Sequence, residues 1–351
     1  MIFKRSRKSV AVDVGSGVVK VVEVDAAGET PRVVRMGVSP LLPGAIVDGE
    51  VMDHQLVVNT VRALYQGLDL KDKRVSTSVS GRDVIVKKIS MDRMKEQEAR
   101  EVIRWEAEQH VPFDMENVNL DFQILDPAGD GLEMSVLLVA AKKDLVDART
   151  ALLQDAGLEP VRIDVDAFAV QRAFEANYTP EPGAVYALVN VGHEVTNVNL
   201  VQERDPILTR DLPVGSNRYH EALQKSLGLS HAEAAAALQG QPPPHVGQEM
   251  VKAQLAGVTQ EIVAGVDRAR AFLTTAGTGA SSQADLRLVY LSGGCAATPG
   301  LAEQLGQALS VPVDTLDPFR RVAYEPSLFT DETKRDLSPL LTLAVGLALQ
   351  S

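Results

Sequence analysis

The stretch that decides the fold is "VAVDVGSGVVKVVEV", Val10 to Val24. Valines alternate with Ala11 and Asp13 in its first part, which is the period-two pattern of a β-strand. The glycine turn Gly15–Gly17 follows, and a second valine-rich run resumes immediately. The stretch therefore predicts two strands joined by a tight turn.

Such a hairpin can bind phosphate, because consecutive backbone N–H groups in a glycine turn form an anion-binding nest. Asp13 could hold the waters of a magnesium ion, Ser16 adds a hydroxyl group, and Lys20 could reach phosphate as a point charge. The turn is neither a P-loop nor a dinucleotide-binding turn, because the chain has no G-x-x-x-x-G-K-[ST] sequence and valines follow the glycines. A plain hairpin with one salt-bridged aspartate carries the same residues, so this segment alone leaves both interpretations open.

A second strand-turn-strand pattern lies in "YALVNVGHEVTNVNLV", Tyr186 to Val201. Gly192 stands there where Gly15 stands in the first copy. The second copy starts just past the midpoint of the 351-residue chain. This spacing predicts two related domains.

The composition predicts a soluble globular protein: 45% of residues are hydrophobic, 23% are charged, and no apolar run approaches the roughly 20 residues that cross a bilayer. A formal net charge of -12 argues against nucleic acid as the main partner, since phosphate binding needs a clustered basic face. The basic cluster Lys4, Arg5, Arg7 and Lys8 could contact anionic lipid or an acidic partner, and it is interpreted as a solvated tail of a cytoplasmic N-terminus. The single cysteine, Cys295, excludes a disulfide framework within the chain.

Periodicity elsewhere predicts helices alternating with strands, which indicates an α/β fold. Helices are expected at about 54–66, 93–110, 144–156, 217–227, 231–239 and 248–275, near Pro299, and in the apolar tail from 338. Strands are expected at 74–79, 83–90, 117–125, 134–143 and 286–292, and a strand is expected to enter a helix directly within 161–174.

Five segments resemble, in order, the signature regions of the actin, heat-shock chaperone and sugar kinase superfamily. These regions, called phosphate 1, connect 1, phosphate 2, adenosine and connect 2, match "VAVDVGSGVVK", "VDAFAVQRAF", "LVNVGHEVTNV", "YLSGGCAATPGLAEQL" and "LLTLAVGLAL". Within that superfamily the chain resembles the PilM family of type IV pilus assembly, in the strings "IRWEAEQHVPFD", "VLLVAAKK", "DVDAFAVQ", "VYLSGG" and "DPFR". The resemblance runs from about Ala11 to Leu349.

The resemblance implies the actin-like ATPase fold, with two ribonuclease-H-like domains that each carry an inserted subdomain and a nucleotide cleft between them. The first domain would take residues 1–81, 159–182 and 319–351, with an insertion at 82–158. The second would take residues 183–211 and 276–318, with a helical insertion at 212–275.

The same resemblance implies a site for ATP or ADP with Mg²⁺ in the cleft, with Asp13 near the metal through water. The residues that match the family's nucleotide site are Asp13, Gly15, Ser16, Lys20, Asn190, Gly192, Thr196, Gly215, Asn217, Gly293 and Gly294.

Three departures from relatives predict weak nucleotide binding and negligible hydrolysis. Asn190 stands where many actin-like proteins have an aspartate, so the side chain has no charge. Ala235 and Leu238 align with a glutamate and a lysine that contact the adenosine in relatives, and Val214 replaces the first glycine of a "GGN" segment. One lost hydrogen-bonding partner costs about 1 to 3 kcal/mol, or roughly tenfold or more in affinity.

The segment "MKEQEAREVIRWEAEQHVPFD" predicts an amphipathic helix that ends before Pro112. Most of its apolar stripe is interpreted as packing on strands. Trp105, the only tryptophan, and Phe113 are candidates for contact with an extended peptide. In the PilM family this region forms a groove for the cytoplasmic N-terminal peptide of PilN. The resemblance therefore implies Trp105, Pro112 and Phe113 as groove residues of a cytoplasmic protein held at the inner membrane by PilN-like and other pilus components.

Three alternatives stay open on the sequence. A sugar or acetate kinase needs a catalytic carboxylate in an open substrate cleft, and no segment marks one. A division protein of the FtsA type carries an amphipathic membrane helix after connect 2, where this sequence stops at Ser351. A scaffold that never binds nucleotide is favoured by Ala235 and Leu238.

Overall fold

The computed structural model describes residues 8–275 and 286–350, without the side chains of 274 and 275. The described strands are β1 (Lys8–Val14), β2 (Val18–Asp25), β3 (Arg32–Pro40), β4 (Ile46–Val47), β5 (Glu50–Val51), β6 (Arg74–Val79), β7 (Val84–Asp92), β8 (Val118–Ile124), β9 (Glu133–Lys142), β10 (Glu159–Val165), β11 (Val185–Val191), β12 (Thr196–Gln202), β13 (Asp205–Leu212), β14 (Leu286–Ser292), β15 (Val313–Thr315) and β16 (Ala323–Tyr324). The described helices are α1 (His54–Gly67), α2 (Glu96–Glu108), α3 (Lys143–Asp155), α4 (Asp166–Asn177), α5 (Ser216–Leu227), α6 (His231–Leu238), α7 (Gln248–Thr275), α8 (Leu301–Leu309) and α9 (Asp331–Ala348). The basic residues Lys4, Arg5 and Arg7 and the predicted boundary at 276 lie outside the described residues.

The two largest sheets share one topology. The first sheet has the order β10-β6-β1-β2-β3-β16, and the second sheet has the order β13-β12-β11-β14-β15. In each sheet three successive strands pair antiparallel, and the first of them also pairs parallel with a later strand, β6 or β14. The α/β architecture with two related halves, predicted from the sequence, is confirmed.

The two glycine turns are built alike. In the first hairpin Val14 pairs with Val19, and in the second Val191 pairs with Thr196, so four residues separate the last paired positions in both. The N–H of Gly15 donates to the carbonyl of Val18 at 3.2 Å, and that of Gly192 donates to Val195 at 3.0 Å. The two turns therefore have equivalent positions, residue for residue.

The helices α4 and α9 pack against each other and share one apolar core with strands of both sheets, including Ala11 of the first and Leu188 of the second. Their close approach depends on Gly346, because a Cβ atom there would lie 1.8 Å from the carbonyl oxygen of Ala169. These are the segments that resemble connect 1 and connect 2.

The remaining three-stranded sheet, with the order β7-β9-β8, is here called the inserted sheet. The helix α2 buries Ala99, Ile103 and Ala107 against it, so the predicted amphipathic packing is confirmed. The helix starts at Glu96 instead of 93, because Lys95 before it has an extended backbone and its N–H donates to the Glu98 carboxylate at 3.1 Å, which caps the helix there.

Two helix boundaries near the C-terminal end differ from the prediction. The helix α8 starts only at Leu301, since Gly300 before it has a φ of 86°. The helix α9 starts at Asp331 and contains Pro339 in its interior, whereas the predicted helix began at 338. Thr330 caps α9 through the N–H of Thr333, which moves its start seven residues upstream. No helix in the described parts of the chain is long and apolar enough to span a membrane.

Candidate functional site

The turns of the two hairpins face each other in direct contact. A Cβ atom placed on Gly17 would lie 2.8 Å from Cγ and 3.0 Å from Nδ1 of His193, so only a residue without a side chain fits there. The phosphate 1 and phosphate 2 segments thus meet, as the resemblance implies for the cleft between two domains.

The first hairpin carries a buried charge pair at the end of its strands. Asp13 and Lys20 are cross-strand partners, and Lys20 Nζ lies 2.8 Å from Asp13 Oδ2. The two side chains are largely shielded from solvent, with exposures of 13% for Lys20 and 8% for Asp13. The salt-bridged aspartate that the sequence left open is the arrangement observed.

Two further charged residues next to this pair escaped the sequence analysis. Arg149 on α3 is half-buried and donates to the carbonyl of Val14 at 2.8 Å. Desolvation lowers its pKa, and the charges of Asp166 and Asp13 oppose that shift. Asp166 starts α4, and burial, followed by the charge of Asp13, raises its pKa to about 6. The aspartate at the strand-to-helix junction of "DVDAFAVQ" was a usable signal for Asp166, but nothing local marks Arg149.

The second hairpin has two amides where the first has a charge pair. Asn190 and Asn197 are cross-strand partners at the same register as Asp13 and Lys20. Ser292 donates to Asn190 Oδ1 at 3.2 Å, Asn190 Nδ2 donates to Asn197 Oδ1 at 3.1 Å, and Asn197 Nδ2 donates to Asp211 Oδ1 at 2.7 Å. The side chain of Asn190 is therefore engaged inside the second sheet.

The backbone donors at the start of α5 are also engaged. The N–H of Ser216 donates to Gly192 at 2.9 Å, and the N–H of Asn217 donates to His193 at 2.8 Å. Gly215 is required there, since its Cβ would lie 2.5 Å from the carbonyl oxygen of His193. The buried hydroxyl of Thr196 donates to the carbonyl of Val214 at 2.7 Å. The carbonyl groups of the phosphate 2 turn thus accept hydrogen bonds from the first N–H groups of α5 and hold the turn against that helix.

The predicted adenosine turn lies against the same strand. Gly293 has a φ of 88°, and a Cβ there would lie 2.3 Å from the carbonyl oxygen of Val191. Its N–H donates to Pro339 of α9 at 2.8 Å, while Gly294 beside it is exposed. The structure therefore brings phosphate 2, the adenosine turn and connect 2 together.

The residues present do not fit ATP with Mg²⁺ in this arrangement. The contact of Gly17 with His193 leaves no space for a phosphate between these two residues, and Lys20 Nζ is already paired with Asp13 Oδ2 at 2.8 Å. Among the described residues, no group of three or more His, Cys, Asp or Glu side chains is arranged to hold a metal ion.

The three residues predicted for a peptide groove lie at one end of the inserted sheet. Trp105 on α2 is 79% exposed, and Pro112 is exposed as well. Phe113 is half-buried against the core of the inserted sheet, with Lys142 Nζ 4.9 Å from its ring centroid. Lys142 in turn lies 2.6 Å from Asp83, where the chain enters the inserted sheet. This end adjoins the first sheet, because α3 follows β9 directly and contacts β10 and β6 of that sheet.

A cavity of about 670 Å³ opens at the opposite end of the inserted sheet. Met94, Phe122 and Ile124 are among the residues that line it. It is separate from both hairpins and from Phe113, so it provides a matched comparison site for mutagenesis.

Comparisons with known proteins show the family and the fold. A model of the family described as "Type IV pilus assembly protein PilM" matches residues 11–351. A chain of a "PilM-PilN type IV pilus biogenesis complex" is 27% identical, with a TM-score of 0.85 over 97% of this chain and 98% of that chain. The ethanolamine utilization protein EutJ from Carboxydothermus hydrogenoformans is 17% identical, with a TM-score of 0.57 over 98% of this chain and 90% of that chain. MreB5 of Spiroplasma citri bound to ADP is 11% identical, with a TM-score of 0.55 over 97% and 94%. The last two share only the fold.

Proposed function

Since the chain belongs to the PilM family of actin-like type IV pilus assembly proteins, we propose that it is a cytoplasmic adaptor that binds the N-terminal peptide of a PilN-like membrane protein. The observation that carries the proposal is the similarity over 97% of the chain to a protein of a PilM–PilN complex. The peptide would hold the adaptor at the cytoplasmic face of the inner membrane, where it would meet other pilus components.

The surface around Trp105 and Phe113 suits such a peptide. An exposed tryptophan is a frequent centre of binding energy in protein interfaces, because it buries a large rigid area with few rotamers to order. The exposed carboxylates of Glu101 and Glu108 lie on the same helix. Opposite charge across an interface raises the association rate and selects the partner, so a peptide with basic residues fits best.

Nucleotide has at most a minor part in this proposal. ATP or ADP with Mg²⁺ would have to separate Gly17 from His193 before it could reach the phosphate turns, so weak binding and negligible hydrolysis remain the expectation. These contacts favour a scaffold over an efficient ATPase.

A peptide titration with paired variants tests the proposal. The N-terminal peptide of the matching PilN-like protein, labelled with a fluorophore, should bind the wild-type chain. The double variant Trp105→Ala with Phe113→Ala should bind the peptide at least about tenfold more weakly. This corresponds to a loss of about 1.4 kcal/mol or more in binding free energy, which is typical when aromatic side chains at the centre of an interface are removed.

Phe122→Ala is the matched control, because Phe122 is also half-buried on the inserted sheet but lines the cavity at the opposite end. Its affinity for the peptide should equal that of the wild type, and circular dichroism should show that all variants fold. Absence of binding by the wild type would contradict the proposed function. A loss of peptide affinity in Phe122→Ala alone would show that the peptide binds in the cavity instead of at Trp105 and Phe113.

A further inference from the structure

Three histidines form a row in the second half of the molecule that ends at the contact between the two halves. The rings of His231, the first residue of α6, and His220 of α5 are stacked, with centroids 4.8 Å apart. The rings of His220 and His193 follow at 6.1 Å. His193 in turn lies against Gly17 of the first hairpin. The fold thus brings together three of the chain's six histidines from three separate elements, and they are here called the histidine row.

The middle of the histidine row is shielded from water. His220 is only 9% exposed, and its Nδ1 has no hydrogen-bond partner among the described residues. His193 is half-buried, whereas His231 is exposed. A buried imidazole without a partner favours its neutral form, because a positive charge there would be neither solvated nor paired. The row therefore leads from solvent at His231, through a buried ring, to the contact between the glycine turns.

The charges that act on the histidine row come from its own members. Burial, followed by the charge of His231, lowers the pKa of His193, and burial, followed by the charges of His231 and His193, lowers that of His220 to about 4. Most charged side chains on the adjoining elements are engaged elsewhere: Arg218 of α5 with Glu261 of α7 at 3.0 Å, and Lys20 with Asp13 at 2.8 Å. The other titratable groups around the row are Glu194 on the turn, Glu221 on α5, Glu233 on α6, which accepts from the N–H of Ser230, and Cys295 on the adenosine turn.

His193 connects the row to backbone hydrogen bonds on both sides of the contact. Its Nδ1 lies 2.7 Å from Ser216 Oγ, and its carbonyl accepts from the N–H of Asn217 at 2.8 Å. On the other side, the carbonyl of Gly17 accepts from the N–H of Leu41 at 2.9 Å. A movement of His193 away from Gly17 would therefore be detected at the amides of residues 41, 216 and 217.

From this arrangement we propose that the histidine row is a pH-sensitive switch that holds the two glycine turns together when its rings are neutral and releases them when the rings take up protons. Positive charges on rings 4.8 and 6.1 Å apart repel each other, and His193 gains solvent when the turns separate. Because the closed arrangement lowers the pKa of His193 and His220 from 6.5, it is fully stabilised above that pH and loses stability as the pH falls below it. The switch lies apart from the peptide surface around Trp105.

Hydrogen exchange at two pH values, about 7.5 and about 5.5, tests the switch through amide protection factors, in which the intrinsic pH dependence of exchange is divided out. A histidine that is neutral in the closed state and has an ordinary pKa in the open state raises the opening constant by about tenfold over this interval. We expect the protection factors of residues 41, 216 and 217 to fall by about tenfold or more at the lower pH. Those of β9 in the inserted sheet should change by less than about twofold.

His193→Asn is the decisive variant, because an asparagine amide can still bond to Ser216 and takes up no proton in this range. The fall in protection should shrink to less than about threefold in this variant. His245→Asn is the matched control, since His245 is exposed on a loop of the second half and lies outside the row, and it should keep the fall of the wild type. The same fall in His193→Asn as in the wild type, or an equal fall in β9, would overturn the switch.

If His193→Asn does not fold, His231→Asn decides by the same measurement. His231 is exposed, and its replacement removes one of the three positive charges from the row. The fall in protection should then be smaller than in the wild type, and an unchanged fall would overturn the switch. Peptide affinity at about pH 7.5, where the row is neutral, should be the same in all variants, so a failed switch and a failed adaptor function give different results.

Discussion

Asp13 and Lys20 show how one hairpin keeps charges that its structural copy lacks. The equivalent residues of the second hairpin, Asn190 and Asn197, form a hydrogen bond of 3.1 Å where the first hairpin has a salt bridge of 2.8 Å. The row of amides ends at Asp211, which also accepts from the backbone N–H of Gly81 at 2.6 Å. Asn190 is thus a structural residue of the second sheet and also a link in the connection between the halves.

Asp166 and His220 should change the stability of the fold in opposite directions between about pH 4 and 6. Burial raises the pKa of Asp166 from 3.8 to about 6, so the folded chain binds more protons there than the unfolded chain, and stability falls as the pH rises. Burial, followed by the charges of His231 and His193, lowers the pKa of His220 from 6.5 to about 4. The folded chain binds fewer protons at His220, and stability rises with pH over that window.

Single substitutions should separate these two effects. The difference in the free energy of unfolding between Asp166→Asn and the wild type should rise with pH between 4 and 6, because the variant keeps the His220 effect and lacks the opposing effect of Asp166. The corresponding difference for His220→Gln should fall with pH, because this variant keeps only the effect of Asp166. Each difference can reach about 1.4 kcal/mol per pH unit, and urea unfolding at several pH values measures it. The same pH dependence in Asp166→Asn and the wild type would contradict the desolvated environment that raises the pKa of Asp166.

At the scale of secondary-structure elements, the crossing of α4 and α9 depends on one glycine. In Gly346→Ala the new methyl group, with ideal backbone geometry, would lie 1.8 Å from the carbonyl oxygen of Ala169. This distance is far too short for a contact, so the helices must move apart. We expect a loss of about 1 to 3 kcal/mol or more in the free energy of unfolding, by overpacking. Chemical denaturation measures it.

Gly257→Ala is the matched control for this substitution. Gly257 is also inside a helix, α7, but a Cβ there meets no atom within 4 Å. The control should gain about 1 kcal/mol from higher helix propensity. A gain in Gly346→Ala as well would show that the helices are not in close contact.

The sequence predicted the elements with strong periodicity and missed those defined by neighbours. The hairpins, α1 and α7 were predicted within a residue or two, because alternation and the 3.6-residue repeat are local signals. The strands β3 and β13 were missed, since each pairs along one side of a hairpin and has mixed burial. The interior Pro339 in α9 was unexpected, because proline normally ends a helix and here the cap at Thr330 lies upstream.

The candidate site was predicted in outline only. Asp13, Lys20 and the glycine turns follow from the resemblance and from local pattern. Arg149 was missed because its partner, the carbonyl of Val14, lies far away in the sequence, and only the fold brings them together. Residues that fill a cleft are tertiary features, and their type alone does not reveal them.

At the scale of the whole molecule, the contacts between the two halves in the described residues include the α4–α9 core, the hydrogen bond from Gly81 to Asp211, and the contact of the two glycine turns. A chain joined in this way is suited to present a fixed peptide surface. Such an adaptor would not need a nucleotide cycle to hold its partner.

Calorimetric titration of the wild-type chain with the PilN-like N-terminal peptide, in the presence and absence of Mg²⁺-ATP, tests this account most directly. The account predicts saturable peptide binding with the same Kd, within about twofold, in both conditions. In a cleft that is already closed, Mg²⁺-ATP should change the free energy of peptide binding by less than about 0.5 kcal/mol. Absence of peptide binding, or binding that appears only with Mg²⁺-ATP, would contradict it.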